Sequence, residues 1–308
     1  MNLRVIFVAG TGRCGSTVFE MAMAESLGVP STGELVSVWT RGVIENRACS
    51  CGEDFDSCPF WQAVVSTEPA MFTKQVATRV SASTAGVLHA FGPLRCMTSR
   101  LRDGLPERVG PQWFDAMGAL YRGVAEATGS PTFTDSSKAP VIAILLSRIE
   151  GLQVDMVHLT RDPRDVARSW KHPHAVGPHT APMPRLAPWK SAITWLLVNA
   201  AAGRAGASLS GACSNLRYED FVDEPSRQIN RVSGELGLGH RSLDPERPVM
   251  VGVSPHSMSG NPPVRLRREP VRIAAQRPPA GGLCDFLVVS GLCWPLLHRW
   301  GYRLRADR

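Results

Sequence analysis

The sequence predicts an α/β protein, with a central and mainly parallel sheet flanked by helices in three layers. Two observations carry that expectation. Apolar strand-like runs alternate with helical stretches along the chain. The first alternation, VIFVAGTGRCGSTVFEMAMAESLG at 5–28, is a strand, a glycine-rich turn and a helix in immediate succession. The 308 residues suffice for a sizeable core, and unbroken alternation favours one domain spanning 1–308.

Val5 to Val8 form a β-branched and aromatic apolar run, read as a buried strand. Gly10, Gly12 and Gly15 punctuate the turn, and Ser16 to Leu27 carry helical periodicity until Gly28 and Pro30 stop them. Backbone N–H groups at such a helix start point at an anion, and the helix dipole adds about half a positive charge there. Gly10-x4-Gly15-Ser16-Thr17 fits the frame of a nucleotide P-loop, with Ser16 where that motif has lysine. The missing lysine argues against a triphosphate ligand, and the loop's cation is instead Arg13. The plain alternative is an ordinary glycine turn before a helix.

Ser31 and Glu34 have capping-box spacing ahead of a second helical segment, LVSVWTRGVIEN. Glu34 is thus either a cap for its own helix or a catalytic carboxylate. Residues 49–61, CSCGEDFDSCPFW, hold three of the eight cysteines. Cys49, Cys51 and Cys58 are open to three readings: buried thiols packed on Phe60 and Trp61, a disulfide, or a metal site without an evident fourth ligand nearby.

Residues 62–130 read as mainly helical, most clearly at 113–129. Thr132–Thr134 is a short strand leading into Asp135-Ser136-Ser137-Lys138. The following helix has Pro140 in its first turn and Gly151 just past its end. Gln153–Thr160 is the next strand, with Asp162 as N-cap and Pro163 at the first position of a helix over 163–171. Three strand-to-helix junctions, at 10–17, 135–140 and 160–164, therefore present polar groups on one sheet edge, where open α/β sheets bind ligands.

Residues 171–190 are Pro- and His-rich and too long for a simple connection, so they are expected to form a lid or substrate loop. His172, His174 and His179 lack the regular spacing of a metal site and are read as exposed loop residues. A helix at 188–203, a strand at 214–218 and a helix at 225–237 follow, then a loop-rich basic stretch at 240–282. Leu283–Leu297 is apolar, but Asp285, Gly291 and Pro295 interrupt it; it is read as a buried terminal helix, too short to span a bilayer.

The net charge of +7 is spread without runs, which disfavours nucleic acid and suits a small polyanion. The opening MNLRVIFVAG runs directly into the glycine loop and reads as neither signal peptide nor anchor. The expectation is a soluble cytoplasmic protein without an integral membrane segment; nothing in the sequence sets its oligomeric state.

Five segments occur in a telling order: TGRCGST (11–17), DSSK (135–138), LTRDPRDVARSW (159–170), YEDFVDEP (218–225) and HSMSGNPPVR (256–265). Together they resemble the PAPS-dependent sulfotransferase family, whose donor is 3′-phosphoadenosine 5′-phosphosulfate. Cys14 stands where the family more often has serine, and the string CSCG…CPFW is similar to an insertion in bacterial members. The resemblance implies a P-loop-like fold and transfer of a sulfuryl group from PAPS to a hydroxyl of a small-molecule, glycolipid or carbohydrate acceptor.

It also implies roles. Thr11, Gly12, Arg13, Cys14, Gly15, Ser16 and Thr17 would hold the 5′-phosphosulfate, and Arg161 with Ser169 the 3′-phosphate. Tyr218 would lie near the adenine and Arg265 would close over the nucleotide, although 265–282 departs from the family pattern. Glu34 matches the general base of several relatives, with Lys138 and Arg13 at the leaving-group oxygens. No metal is implied, because nothing corresponds to a Walker-B carboxylate. Two rivals stand beside this: a kinase or NTPase on the same cradle, and a nucleotide-binding protein without catalysis. Acceptor contacts are expected from loops 36–48, 89–110 and 172–190; Trp39, Trp189 and Phe91 suit either an apolar acceptor or the core.

Overall fold

Strand β1 (Leu3–Ala9) runs down the middle of a four-stranded sheet between β2 (Thr132–Lys138) and β3 (Leu152–Thr160), with β4 (Cys213–Arg217) outside β3. All three pairings are parallel, giving the order β2-β1-β3-β4. The computed structural model describes residues 2–89, 92–96, 98–171, 185–239, 243–244, 248–252, 256–260, 264, 268–273 and 282–303.

Side-chain alternation along β1 builds the two faces. Val5, Phe7 and Ala9 enter one core and Ile6 and Val8 the other, as a period of two requires. The first core is closed by α2 (Pro59–Thr67), α3 (Lys74–Leu88), α6 (Pro111–Thr128) and α7 (Pro140–Leu146). The second is closed by α1 (Ser16–Leu27) and α11 (Pro225–Glu235), through Phe19, Met21, Met23, Ile229 and Val232. Each fully buried side chain of this size contributes about 1.5–3 kcal/mol, so the faces of β1 alone anchor both layers. The expected α/β architecture, a parallel sheet flanked by helices, is what the chain adopts.

A third, smaller cluster joins α8 (Pro163–Lys171), α9 (Pro188–Ala205) and α12 (Leu283–Arg299) around Trp195, Val289 and Leu297. The expectation that α12 is buried holds for one face only. Val289, Ser290, Cys293 and Leu297 are covered, while Leu283, Leu287, Val288, Leu292 and Trp294 are exposed. Among the described residues no helix is long and apolar enough to cross a membrane. Further short elements include α4 (Ser99–Asp103), α5 (Leu105–Val109), α10 (Tyr218–Asp223) and an antiparallel pair, β5 (Met250–Val251) with β6 (Val271–Arg272), which the loop-rich reading of 240–282 did not foresee.

Two local expectations are revised. Residues 35–46 do not form an α-helix: a 3₁₀ turn at Leu35–Ser37 passes into a π-helical stretch at Val38–Ile44. And Asp135 to Lys138 belong to β2 instead of following it. Asp, Ser and Lys are poor strand formers, so this polar run carries no strand signal. The strand tolerates it because the buried Asp135 carboxylate is fully engaged. It accepts hydrogen bonds from the Tyr121 hydroxyl, from Ser137 N at 2.8 Å and Oγ at 2.6 Å, and from Leu35 N at 3.3 Å.

Candidate functional site

The strand order places a topological switch point between β1 and β3. The chain leaves β1 toward β2 on one side and leaves β3 toward β4 on the other, so a crevice opens at their carboxyl ends. The loops bordering it are 10–15 and 161–162. They lie very close: a Cβ on Gly10 would sit 2.4 Å from the Leu159 carbonyl oxygen.

Within the first loop Cys14 N donates to Thr11 O at 3.2 Å, closing a tight turn, and Gly15 (φ +94°) stands at the N-cap of α1 with no side chain to cap it. A side chain at Gly15 is excluded twice, since its Cβ would stand 2.2 Å from the Tyr218 ring. Gly12 is likewise pressed against Trp170, whose ring edge would be 2.6 Å from a Cβ. Ser16 and Thr17 open α1 with little exposure, and Cys14 is fully buried in the α1-side core. The Cys14 side chain therefore shapes the loop from beneath.

Across the crevice Arg161 Nη1 donates to the Arg13 carbonyl oxygen at 3.2 Å, and its guanidinium lies 4.7 Å from the centre of the Tyr218 ring. Arg13 lies over Trp170 at 5.0 Å. Each arginine thus lies over an aromatic ring. Burial draws the Arg13 pKa down from its ordinary value. Trp170 received no role from the sequence, although it sits inside the LTRDPRDVARSW segment; the glycine two residues after Gly10 was its available signal. Ser169, beside it on α8, is half-buried. Asp162 caps α8 as expected, accepting from Arg164 N at 2.8 Å.

On the other side of β1, Lys138 ends β2 and places its ammonium on the Glu34 carboxylate. Both side chains are about four-fifths covered, at 20% and 19% exposure. The capping-box reading of Ser31 and Glu34 is overturned, because Glu34 makes no cap hydrogen bond and Ser31 Oγ donates instead to Glu20 Oε1 at 2.7 Å.

Glu20 and Asp135 are the residues that position Glu34, and sequence reasoning missed both in that role. Glu20 Oε1 also accepts from Thr32 N at 3.1 Å, Gly33 N at 3.2 Å and Thr134 Oγ1 at 2.6 Å. A carboxylate amid the apolar run VFEMAMAESL was the available signal. Its burial raises the pKa of Glu20, against the hydrogen bonds that lower it. Gly33 (φ +69°) then turns the chain, Ser136 N donates to Gly33 O at 2.7 Å, and Asp135 receives Leu35 N. The 31–36 segment is thereby pinned along β2.

Beside the loop, a pocket of about 140 Å³ is walled by Gly10–Gly12 and Ser137–Lys138 on one side and by Val87, Leu88, Pro93, Val141 and Val198 on the other. Of the aromatic residues weighed for the acceptor, Trp39 is core, stacked on Phe72 at 5.3 Å; Trp189 is half-exposed; Phe91 lies outside the described residues. So do Arg265, His172, His174 and His179.

No protein-family model matches this chain, and no curated protein matches it. What the site can do follows from its chemistry. It offers a helix start with glycine at its N-cap, two arginines over aromatic rings, a lysine–glutamate pair and an apolar wall, all around the carboxyl ends of β1, β2 and β3. Thr11 Oγ1 and Arg161 Nε are buried with no hydrogen-bond partner among the described residues, so both have capacity left for an anion's oxygens.

Proposed function

We propose that the protein is a PAPS-dependent sulfotransferase on a P-loop-like fold, acting on a hydroxyl of a small-molecule, glycolipid or carbohydrate acceptor. The observation that carries the reading is the Lys138–Glu34 pair at the edge of the glycine loop. It sets a carboxylate and a cation beside the anion cradle, as transfer from a phosphosulfate to a hydroxyl requires. Of the three non-glycine residues with positive φ among those described, two are Arg13 and Lys138, at 72° and 66°. Such strain persists only where surrounding structure imposes it, and it concentrates at working sites.

In this reading the loop N–H groups, Thr11, Ser16 and Thr17 bind the 5′-phosphosulfate, while Arg161, with Ser169, binds the 3′-phosphate through charge-assisted bonds. The acceptor oxygen attacks sulfur in line with the bond to the bridging oxygen. Glu34 takes the hydroxyl proton as the new O–S bond forms, and the old S–O bond leaves its electrons on the nucleotide phosphate. Lys138 and Arg13 stabilise that charge; Lys138 exchanges Glu34 for the phosphate oxygen, which frees the carboxylate. The apolar wall of the pocket favours an acceptor with an apolar body.

Calorimetry of the full chain against PAPS and against ATP, both without metal, is the first test. Retention of PAPS but not ATP is expected, and the reverse would favour a kinase. Turnover in an acceptor screen with labelled PAPS then separates an enzyme from a nucleotide binder.

A further inference from the structure

Cys49, Cys51 and Cys58 lacked a fourth ligand in the sequence around them, but the fold supplies one from 198 residues beyond Cys58. The four ligand atoms, three Sγ and His256 Nδ1, all lie within 4.8 Å of one another. Cys51 Sγ is 3.6 Å from Cys58 Sγ; His256 Nδ1 is 3.3 Å from Cys58 Sγ and 3.9 Å from Cys49 Sγ. A tetrahedron with ordinary Zn–S and Zn–N bonds has S···S edges of about 3.8 Å and S···N edges of about 3.6 Å. A disulfide needs sulfurs about 2.05 Å apart, and all these cysteines are free.

The scaffold around the four atoms is built, not incidental. Cys49 N donates to Glu53 O at 2.8 Å and Gly52 N to Cys49 O at 3.0 Å, so Cys49 and Cys51 project from one tight turn with Gly52 at φ +109°. Cys58 sits at the N-cap of α2, ahead of Pro59, where the dipole favours a thiolate. Phe60 stacks on the His256 ring at 4.9 Å and 11°. Ser50 N donates to Ser257 O at 3.0 Å, and Ser257 N donates to Ser50 Oγ at 2.7 Å. These contacts hold the histidine against the cysteine turn and fix its ring plane.

We propose that Cys49, Cys51, Cys58 and His256 form a closed, structural zinc(II) site. On binding, the three thiols release their protons to solvent and Nδ1 lends its lone pair, while Nε2 keeps the imidazole proton. With four protein ligands no position is left for water or substrate, so the metal staples and does not catalyse. What it staples is specific. Ser257 and Ser259 pack on Gly33, where a Cβ would meet Ser257 Oγ at 2.1 Å, and Gly33 immediately precedes Glu34. The zinc thus fixes the floor of the segment that carries Glu34. The assignment of the zinc site does not rest on the reaction proposed above.

The test is the metal content of the full chain, purified reduced and without chelator from zinc-supplemented cells. About one equivalent of zinc is expected by mass spectrometry, released to a chromogenic chelator when a mercurial blocks the thiols. His256→Cys should keep the metal, and Cys213→Ser, outside the cluster, should keep it too; Cys58→Ser with His256→Ala should lose it. Because that double variant can fail to fold, the metal-free wild-type chain is also given cobalt(II), which should develop the absorption of a tetrahedral thiolate site. A wild-type chain that holds no zinc and gives no such spectrum overturns the proposal. So does a Cys51–Cys58 disulfide in protein freshly isolated without reductant.

Discussion

The Lys138 ammonium rests on the Glu34 carboxylate, joining the end of β2 to the segment that follows α1. The lysine adopts φ 66° to reach it. A surface ion pair would not justify that strain, since exposed pairs contribute about 0–1 kcal/mol. The pair is largely covered and lies at the edge of the glycine loop, which makes Glu34 the first residue to alter.

Glu34→Gln retains the shape of the side chain and a hydrogen-bonding oxygen for Lys138, yet cannot take a proton as a carboxylate does. With Glu34 as base, turnover should fall by about two orders of magnitude or more. Melting temperature and PAPS affinity should stay near wild type. Near-native turnover, on a substrate for which chemistry limits the rate, would remove Glu34 from the mechanism.

Arg161→Ala deletes a guanidinium stacked on Tyr218 and bonded to the Arg13 carbonyl. Its loss should weaken PAPS binding by about 2–4 kcal/mol, the scale for truncating one partner of a partly desolvated charge-assisted pair. An analogue without the 3′-phosphate should bind nearly as before. Titration calorimetry with both ligands decides the matter: equal losses would place the 3′-phosphate elsewhere.

Gly15→Ala puts a methyl group into the Tyr218 ring and an L-residue at φ +94°. The backbone part alone should cost about 1–2 kcal/mol, read as a lower melting temperature. Adding Tyr218→Ala removes the clash but not the strain, so the double variant should recover only part of the loss attributed to Gly15→Ala. A double-mutant cycle measures this coupling; strict additivity would mean the two residues do not touch.

His158 gives a pH signature unrelated to catalysis. It is buried in β3 with Nε2 2.9 Å from Asn199 Oδ1, and burial lowers its pKa from 6.5 to about 4. Between those values the unfolded chain binds a proton that the folded chain refuses. The contribution to stability is therefore complete above pH 6.5 and is lost as pH falls toward about 4, reaching roughly 3 kcal/mol. Melting curves across this window should show a steeper acid decline for wild type than for His158→Gln, which keeps an N–H for Asn199. Parallel declines would rule the titration out.

Local chemistry was legible in the chain itself. The glycine turn before α1, the Asp162–Pro163 start of α8 and the alternating faces of β1 all follow from preferences acting over a few residues. The aligned arginines could also be named, because each lies in a short motif at a strand end. Tertiary structure decided whatever depends on strand order. Placing β1 between β2 and β3 creates the crevice, brings Arg161 to the Arg13 carbonyl and turns Glu34 from a supposed cap into the partner of Lys138. It also made a strand of the polar run Asp135–Lys138, through a buried carboxylate whose donors come from α6 and the 35–37 turn. The same holds for His256 beside three cysteines. Periodicity and capping reach only a turn or two along the chain, whereas a carboxylate finds its lysine, or a thiol cluster its histidine, only when distant segments pack side by side.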